Sequence, residues 1–172
     1  MIWVATRGGL TRYDGNRIMN FYEEQGLADN KLSKVFQDSR GNILIGTWGG
    51  GLSVIRKEKL EKLNSEQLFQ DDCSPFENFT TSNGLSNDVV YTILEDEEGN
   101  IILGTNLGFT LIKGGIRDGA EIGSSGIENY NEKSGYPIKD VSNNFSMVKD
   151  RDCKFWVGTG DKFLRFDYAS VL

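Results

Sequence analysis

Residues 84–105 read Gly84-Leu85-Ser86-Asn87-Asp88-Val89-Val90-Tyr91-Thr92-Ile93-Leu94-Glu95-Asp96-Glu97-Glu98-Gly99-Asn100-Ile101-Ile102-Leu103-Gly104-Thr105. The two apolar runs, 89–94 and 101–105, are short and rich in β-branched residues, which suits strands rather than helices. Between them Asp96 stands at a first turn position and Gly99 where a left-handed backbone is needed. That is hairpin chemistry. The stretch predicts two antiparallel strands joined by a tight turn.

The same pattern recurs along the chain. The run 101–105 has counterparts in Ile2-Trp3-Val4-Ala5-Thr6, Ile43-Leu44-Ile45-Gly46-Thr47 and Phe155-Trp156-Val157-Gly158-Thr159. Each copy holds three large apolar residues, one small residue and a threonine, and a turn follows. A second element, Ile18-Met19-Asn20-Phe21, returns as Phe76-Glu77-Asn78-Phe79 and Ile127-Glu128-Asn129-Tyr130, always with a glycine (Gly26, Gly84, Gly135) five positions after the aromatic. Gly26 to Gly46 and Gly84 to Gly104 are both 20 residues, while Gly135 to Gly158 is 23. In the third unit the four strands are expected at 89–94, 101–105, 110–112 and 127–130. The first unit, Thr6 to Thr47, is 41 residues long.

A four-stranded unit of roughly 40–45 residues is the signature of a propeller blade. Unbroken apolar runs in the second strand suit a sheet covered on both faces by its neighbours. No core segment has the 3.6-residue period of a helical solenoid, and the unit is too long for a leucine-rich repeat. The expected fold is therefore all-β: a β-propeller segment of about four four-stranded antiparallel blades. It forms one domain over 1–172, with repeats at about 1–26, 27–84, 85–135 and 136–172. The run opens on the second strand of one blade and stops near the third or fourth of another, so it reads as part of a larger propeller. Insertions at 57–75 and 114–126 lengthen two units. The first places Leu60, Leu63 and Leu68 on one face of a short amphipathic helix; the second is glycine-rich and reads as a loop.

Composition narrows function. The chain has 21 glycines and 2 prolines, a net charge of −6 and no histidine. The acidic balance, with no basic stripe, disfavours nucleic acid as a partner. Without histidine there is no Ser-His-Asp triad, and the commonest zinc ligand is missing. No run of ~20 apolar residues exists to span a membrane. Cys73 and Cys153 alone define neither a disulfide framework nor a compartment; Cys153 stands where the other hairpins have glycine, which predicts a differently shaped turn.

The carboxylates Asp71-Asp72, Asp96-Glu97-Glu98 and Asp150-Asp152 fall in turns or an insertion, so they read as solvated surface rather than a glycosidase pair or a calcium loop. The Gly49-Gly50-Gly51 cluster reads as a hairpin turn, because no helix follows to complete a phosphate cradle. No catalytic residue, metal ligand or cofactor site is assigned.

The string from Gly84 through Asp96, Gly99-Asn100 and Gly104-Thr105 resembles the two-component regulator propeller repeat. Weaker copies lie at 26–52 and 135–163. The resemblance implies the extracytoplasmic, periplasmic sensor region of a hybrid two-component sensor histidine kinase. Relatives of that kind sense carbohydrate breakdown products or other small ligands, and any kinase activity resides in other domains of a parent protein. A propeller lyase resembling streptogramin lyase is a further possibility within the fold, but such lyases use a histidine.

Trp3 and Trp156 share the strand position of Leu44 and Ile102 and are expected in the core. Trp48 instead takes the first turn position, held elsewhere by Arg7, Asn106 and Gly160. In a propeller those turns gather with the blade-to-blade loops at one mouth of the channel. Arg7, Asn30, Trp48, Asn87, Asp88, Asn106, Asn143 and Asn144 are the candidate ligand residues. An aromatic with amides and a guanidinium suits an oligosaccharide or a small acidic ligand. The alternative is a structural or protein-interaction module. An arc of blades leaves its end faces uncovered, so self-association through the end blades is expected.

Overall fold

A computed structural model describes residues 1–64, 74–117, 126–141, 147–152 and 154–167. Four antiparallel sheets follow one another along the chain. β1 (Ile2–Thr6), β2 (Gly9–Tyr13) and β3 (Ile18–Phe21) form the first. β4 (Leu32–Gln37), β5 (Ile43–Thr47), β6 (Leu52–Ile55) and β7 (Phe76–Phe79) form the second. β8 (Val90–Glu95), β9 (Ile101–Thr105), β10 (Gly108–Ile112) and β11 (Ile127–Tyr130) form the third. β12 (Met147–Lys149), β13 (Phe155–Gly158) and β14 (Phe163–Phe166) form the fourth. Each sheet is a meander in which consecutive strands pair. Among the described residues the two inner sheets hold four strands and the two outer sheets three.

The apolar runs work by alternation. Ile43 and Ile45 pack with Leu10 and Phe21 of the first sheet, while Leu44 between them packs with Val90, Ile93 and Leu103 of the third. In β9, Ile101 and Leu103 turn toward the second sheet, and Ile102 turns toward Phe155 and Val157 of the fourth. Period-2 alternation in a strand sandwiched between sheets buries every side chain, which is why the sequence shows no polar face there. Three interblade cores result. The chain is a β-propeller segment.

Gly46 is small for a steric reason. A Cβ there would lie 2.8 Å from the Val90 carbonyl oxygen of the next blade. The asparagine of the second repeated element also gains a cause. Asn78 Nδ2 donates to the Gly26 carbonyl (2.9 Å), and Ser53 Oγ donates to Asn78 Oδ1 (2.7 Å) while accepting from Ala28 N (3.0 Å). Asn129 and Thr110 treat Gly84 and Ser86 in the same way. These two crossover loops are thus stapled to the outer strands of the blades they enter.

Short 3-10 turns at Glu23–Gln25, Thr81–Asn83 and Glu132–Ser134, absent from the sequence reading, lead into Gly26, Gly84 and Gly135, all in the left-handed region. A non-glycine residue would be strained there, which accounts for the recurring glycine. The helix expected in the first insertion is present as α1 (Lys57–Asn64), with Leu63 buried and Leu60 packed beside it in the core between the first two blades. Leu68, Asp71, Asp72, Cys73 and Cys153 lie outside the described residues, as does 118–125 of the second insertion.

Trp3 joins the first interblade core. Trp156 does not enter its counterpart: its neighbours Phe155 and Val157 fill the core with the third blade, and alternation turns Trp156 to the other side. It lies there against the largely exposed Phe163, with ring centroids 5.1 Å apart.

Candidate functional site

The repeated threonine builds the platform. Thr47 Oγ1 donates to the Gly51 carbonyl (2.8 Å) and accepts from Gly50 N (2.9 Å), closing the turn that follows β5. Thr6 and Thr105 do the same with Gly9 O and Gly8 N, and with Gly108 O and Leu107 N. One hydroxyl satisfying a donor and an acceptor makes each turn rigid. The residue after each threonine then stands at the same place on successive blades: Arg7, Trp48 and Asn106. Their backbones are tied down too, since Trp48 N donates to Lys31 O (2.9 Å) and Asn106 N to Val89 O (3.3 Å).

Arg7 and Trp48 meet. The guanidinium carbon of Arg7 lies 5.6 Å from the centre of the Trp48 ring, within cation–π range, although the two residues belong to different blades. On its other flank Trp48 meets Tyr91 edge to face, centroids 5.3 Å apart at 84°. Trp48 keeps 38% of its surface exposed. The result is a ladder of guanidinium, indole and phenol across three blades. A face of this kind can stack on the C–H face of a sugar ring and pair with a carboxylate or hydroxyls at its Arg7 end.

Tyr91 was missed as a site residue. It reads as an ordinary strand position, but the ladder shifts register between Val90 and Thr92, so Tyr91 is the extra residue of a β-bulge. The equivalent bulge in β4 falls at Ser33, whose hydroxyl donates to the Val90 carbonyl. Bulges re-aim a side chain out of the pleat. The one sequence signal was a large aromatic at 91 where the neighbouring copy has serine.

Of the other candidates, Asn106 is exposed at the blade-three turn. Asn30, Asn87 and Asp88 are occupied in the crossover loops. Asn30 Oδ1 accepts from Glu23 N (2.9 Å), and Asp88 Oδ1 accepts from Thr81 N (2.6 Å). Asn87 Oδ1 accepts from Val89 N (2.9 Å), capping its own turn. Their main chains bridge blades, since Gly9 N donates to Asn30 O and Gly51 N to Asp88 O, both at 2.8 Å. Asn143 and Asn144 lie outside the described residues. The cluster brought together is therefore Arg7, Trp48 and Tyr91.

At the far end of the molecule Asp150 is the most perturbed carboxylate. The Lys154 backbone N–H, the Trp156 indole and the Arg165 guanidinium all donate to it and hold its pKa down at about 2. This is hairpin and end-face chemistry, away from the ladder. Among the described residues no group of three or more His, Cys, Asp or Glu side chains could hold a metal.

Comparison with known proteins bears on the whole chain. Residues 84–107 match the family model described as two component regulator propeller. The chain superposes on the extracellular domain of a hybrid two component system of B. thetaiotaomicron, BT3049, with a TM-score of 0.73 at 18% identity, covering 98% of this chain and 20% of that one. A second such domain from that organism, BT4673, gives 0.65 at 22% identity over 96% of this chain and 21% of that one. Virginiamycin B lyase of Staphylococcus aureus, solved as an inactive variant with quinupristin, gives 0.57 at 14% identity over 94% of this chain and 49% of that one. The likeness at these identities is one of fold, and the chain spans about a fifth of the length of the first two relatives. A search of curated proteins returned no match. Residues 84–107 are thus similar to a two component regulator propeller repeat, and the chain around them is a four-sheet segment of a β-propeller.

Proposed function

We propose that this segment belongs to an extracytoplasmic sensor and recognises an oligosaccharide, an acidic one above all, on the Arg7–Trp48–Tyr91 ladder. The observation that carries this reading is the half-open Trp48 ring held between a guanidinium at 5.6 Å and a phenol ring at 5.3 Å. Two interblade cores fix the spacing of these side chains, so the ladder is preorganised and binding orders little. Contact with three blades at once also lets an occupied site restrain how the blades sit on one another, which is what a sensor must transmit. Extracellular placement is supported by the similar domains of B. thetaiotaomicron.

A second reading, a module for protein assembly, draws on the apolar end faces rather than on this ladder. The ladder is tested by thermal melting against neutral and uronic-acid oligosaccharides. Acidic oligomers are expected to raise the melting temperature of the native chain, Trp48→Ala to abolish the rise, and Arg7→Gln to remove the preference for acid over neutral sugars. A flat response to every oligosaccharide, or an undiminished one in Trp48→Ala, refutes the reading.

A further inference from the structure

The first strands of the second and third blades touch one residue away from the ladder. Each carries a bulge at the same repeat position, Ser33 in β4 and Tyr91 in β8. A bulge interrupts strand pairing, so the backbone groups beside it need other partners. At β8 a partner comes from the neighbouring blade: the Ser33 hydroxyl donates to the carbonyl of Val90, the residue just before Tyr91. Gly46 leaves the room for this, since a Cβ there would lie 2.8 Å from both the Ser33 Oγ and the Val90 oxygen. The second blade thus offers a socket, a glycine for space and a hydroxyl for pairing, and the carbonyl of the third blade fills it.

The next interface is closed by apolar groups instead. At Gly104, the counterpart of Gly46, a Cβ would meet the Thr92 methyl at 2.6 Å and the Val141 side chain at 2.8 Å. The hydroxyl–carbonyl contact therefore coincides with the interface that carries the indole–phenol pair. Both rings hang on it. Trp48 follows Gly46 by two residues, and Tyr91 follows Val90 directly. Their edge-to-face contact at 5.3 Å joins two blades, so it depends on where one blade stands against the other. Apolar packing between blades is non-directional, whereas a hydrogen bond fixes distance and angle.

We infer that Ser33 is a positioning residue for the Arg7–Trp48–Tyr91 face: its hydroxyl, held on the Val90 carbonyl, sets the bulge that aims Tyr91 at Trp48. Ser33 acts through the bulge and not on a ligand. Its bearing on recognition rests on the ladder being the binding face, but its bearing on ladder geometry does not.

Nuclear magnetic resonance of the full chain with labelled tryptophan reads that geometry without any ligand. The Trp48 ring signals are identified by their loss in Trp48→Phe, and Tyr91→Leu shows where they move when the phenol is gone. Ser33→Ala is expected to carry them most of the way to that position. Ser33→Cys, close in shape but a weaker donor, is expected to shift them the same way by less. Ser39→Ala is the control. It breaks a bond between the same two blades beyond the opposite end of β4, where Ser39 Oγ donates to Glu95 Oε1 (2.6 Å), and is expected to leave the Trp48 signals in place. Circular dichroism verifies that each variant is folded. Native Trp48 signals in folded Ser33→Ala or Ser33→Cys overturn the inference, and so does an equal displacement in Ser39→Ala. Melting with acidic oligosaccharides separates this role from the ligand reading. Where the native chain responds, Ser33→Ala is expected to show a smaller rise than Ser39→Ala, and equal rises overturn the positioning role. A native chain that does not respond refutes the ladder as a binding face, and the Trp48 signals still decide whether Ser33 sets its geometry.

Discussion

Strands β1 and β5 carry nearly the same residues and live in opposite surroundings. Ile43, Leu44 and Ile45 are at most 1% exposed, whereas Ile2 and Val4 are exposed by 57% and 45% and Trp3 is half-buried. The difference lies in the neighbours. Among the described residues β5 has a blade on each side, and β1 has one. An apolar run in this fold is therefore a specification for two partners, and its burial depends on how many of them arrive. The hydrophobic stabilisation follows the area actually removed from water, not the residue type.

That contrast is open to direct attack, most forcefully by the same deletion at matched positions. Ile43→Ala should cost about 2–5 kcal/mol, because a fully enclosed site cannot collapse around the lost methyl groups. Ile2→Ala, at the same repeat position, should change stability by less than about 0.5 kcal/mol at low protein concentration. Urea denaturation measures both, and equal losses would break the comparison. A smaller effect is expected at the small residue of the motif. Ala5 holds in the first blade the place that Gly46 holds in the second, but a Cβ at Gly46 meets the Val90 carbonyl at 2.8 Å. Gly46→Ala should therefore cost about 1–3 kcal/mol by overpacking. No loss on urea titration would mean that the second and third blades are less closely fitted than their contacts indicate.

The turn threonines sharpen the comparison further. Thr47 is fully buried and Thr6 is exposed, though both hydroxyls make the same two hydrogen bonds. Thr47→Val should lose about 1 kcal/mol, since the half-buried Gly50 N–H loses its acceptor while the Gly51 carbonyl keeps the Thr47 N–H, and Thr6→Val should lose less because water replaces the hydroxyl. The smallest effect belongs to the fourth blade. Asp150 has its pKa lowered from 3.8 to about 2, first by the Lys154 N–H and then by Trp156 and Arg165. A carboxylate held below its unfolded value contributes stability above that value and loses it as pH falls through the folded one. The advantage of the native chain over Asp150→Asn should thus be full at neutral pH and fade between about pH 4 and pH 2. Melting temperatures across that range check it, and an advantage that persists at the acid end would mean that it does not come from the charge of Asp150.

Much of this was legible beforehand because it depends on short-range order. The hairpins follow from Asp38, Asp96 and Asp150 at turn positions, and each of these carboxylates accepts backbone N–H groups of its own turn. The helix in the first insertion follows from leucine spacing. Arg7 and Trp48 could be paired because the repeat places them at equivalent points of adjacent blades. Asn30, Asn87 and Asp88 could not be told from ligand contacts, since an amide that binds a sugar and one that holds a loop have the same sequence. The crossover staple of Asn78 to Gly26 spans 52 residues, and no local pattern announces it. Tyr91 stayed hidden because a bulge alters register without altering the spacing between glycines.

Residue order alone defines the unit: four short strands, the turns between them, and an apolar run that can be satisfied only by sheets on both sides. That information is local, held in side-chain alternation and in the conformational demands of glycine and threonine. Tertiary structure alone decided which copies of the run are buried, which polar residues are spent on crossover loops, and that an arginine, a tryptophan and a tyrosine from three blades form one surface. Those outcomes depend on contacts between residues far apart in the chain, where distance is set by the stacking of blades and not by position in sequence.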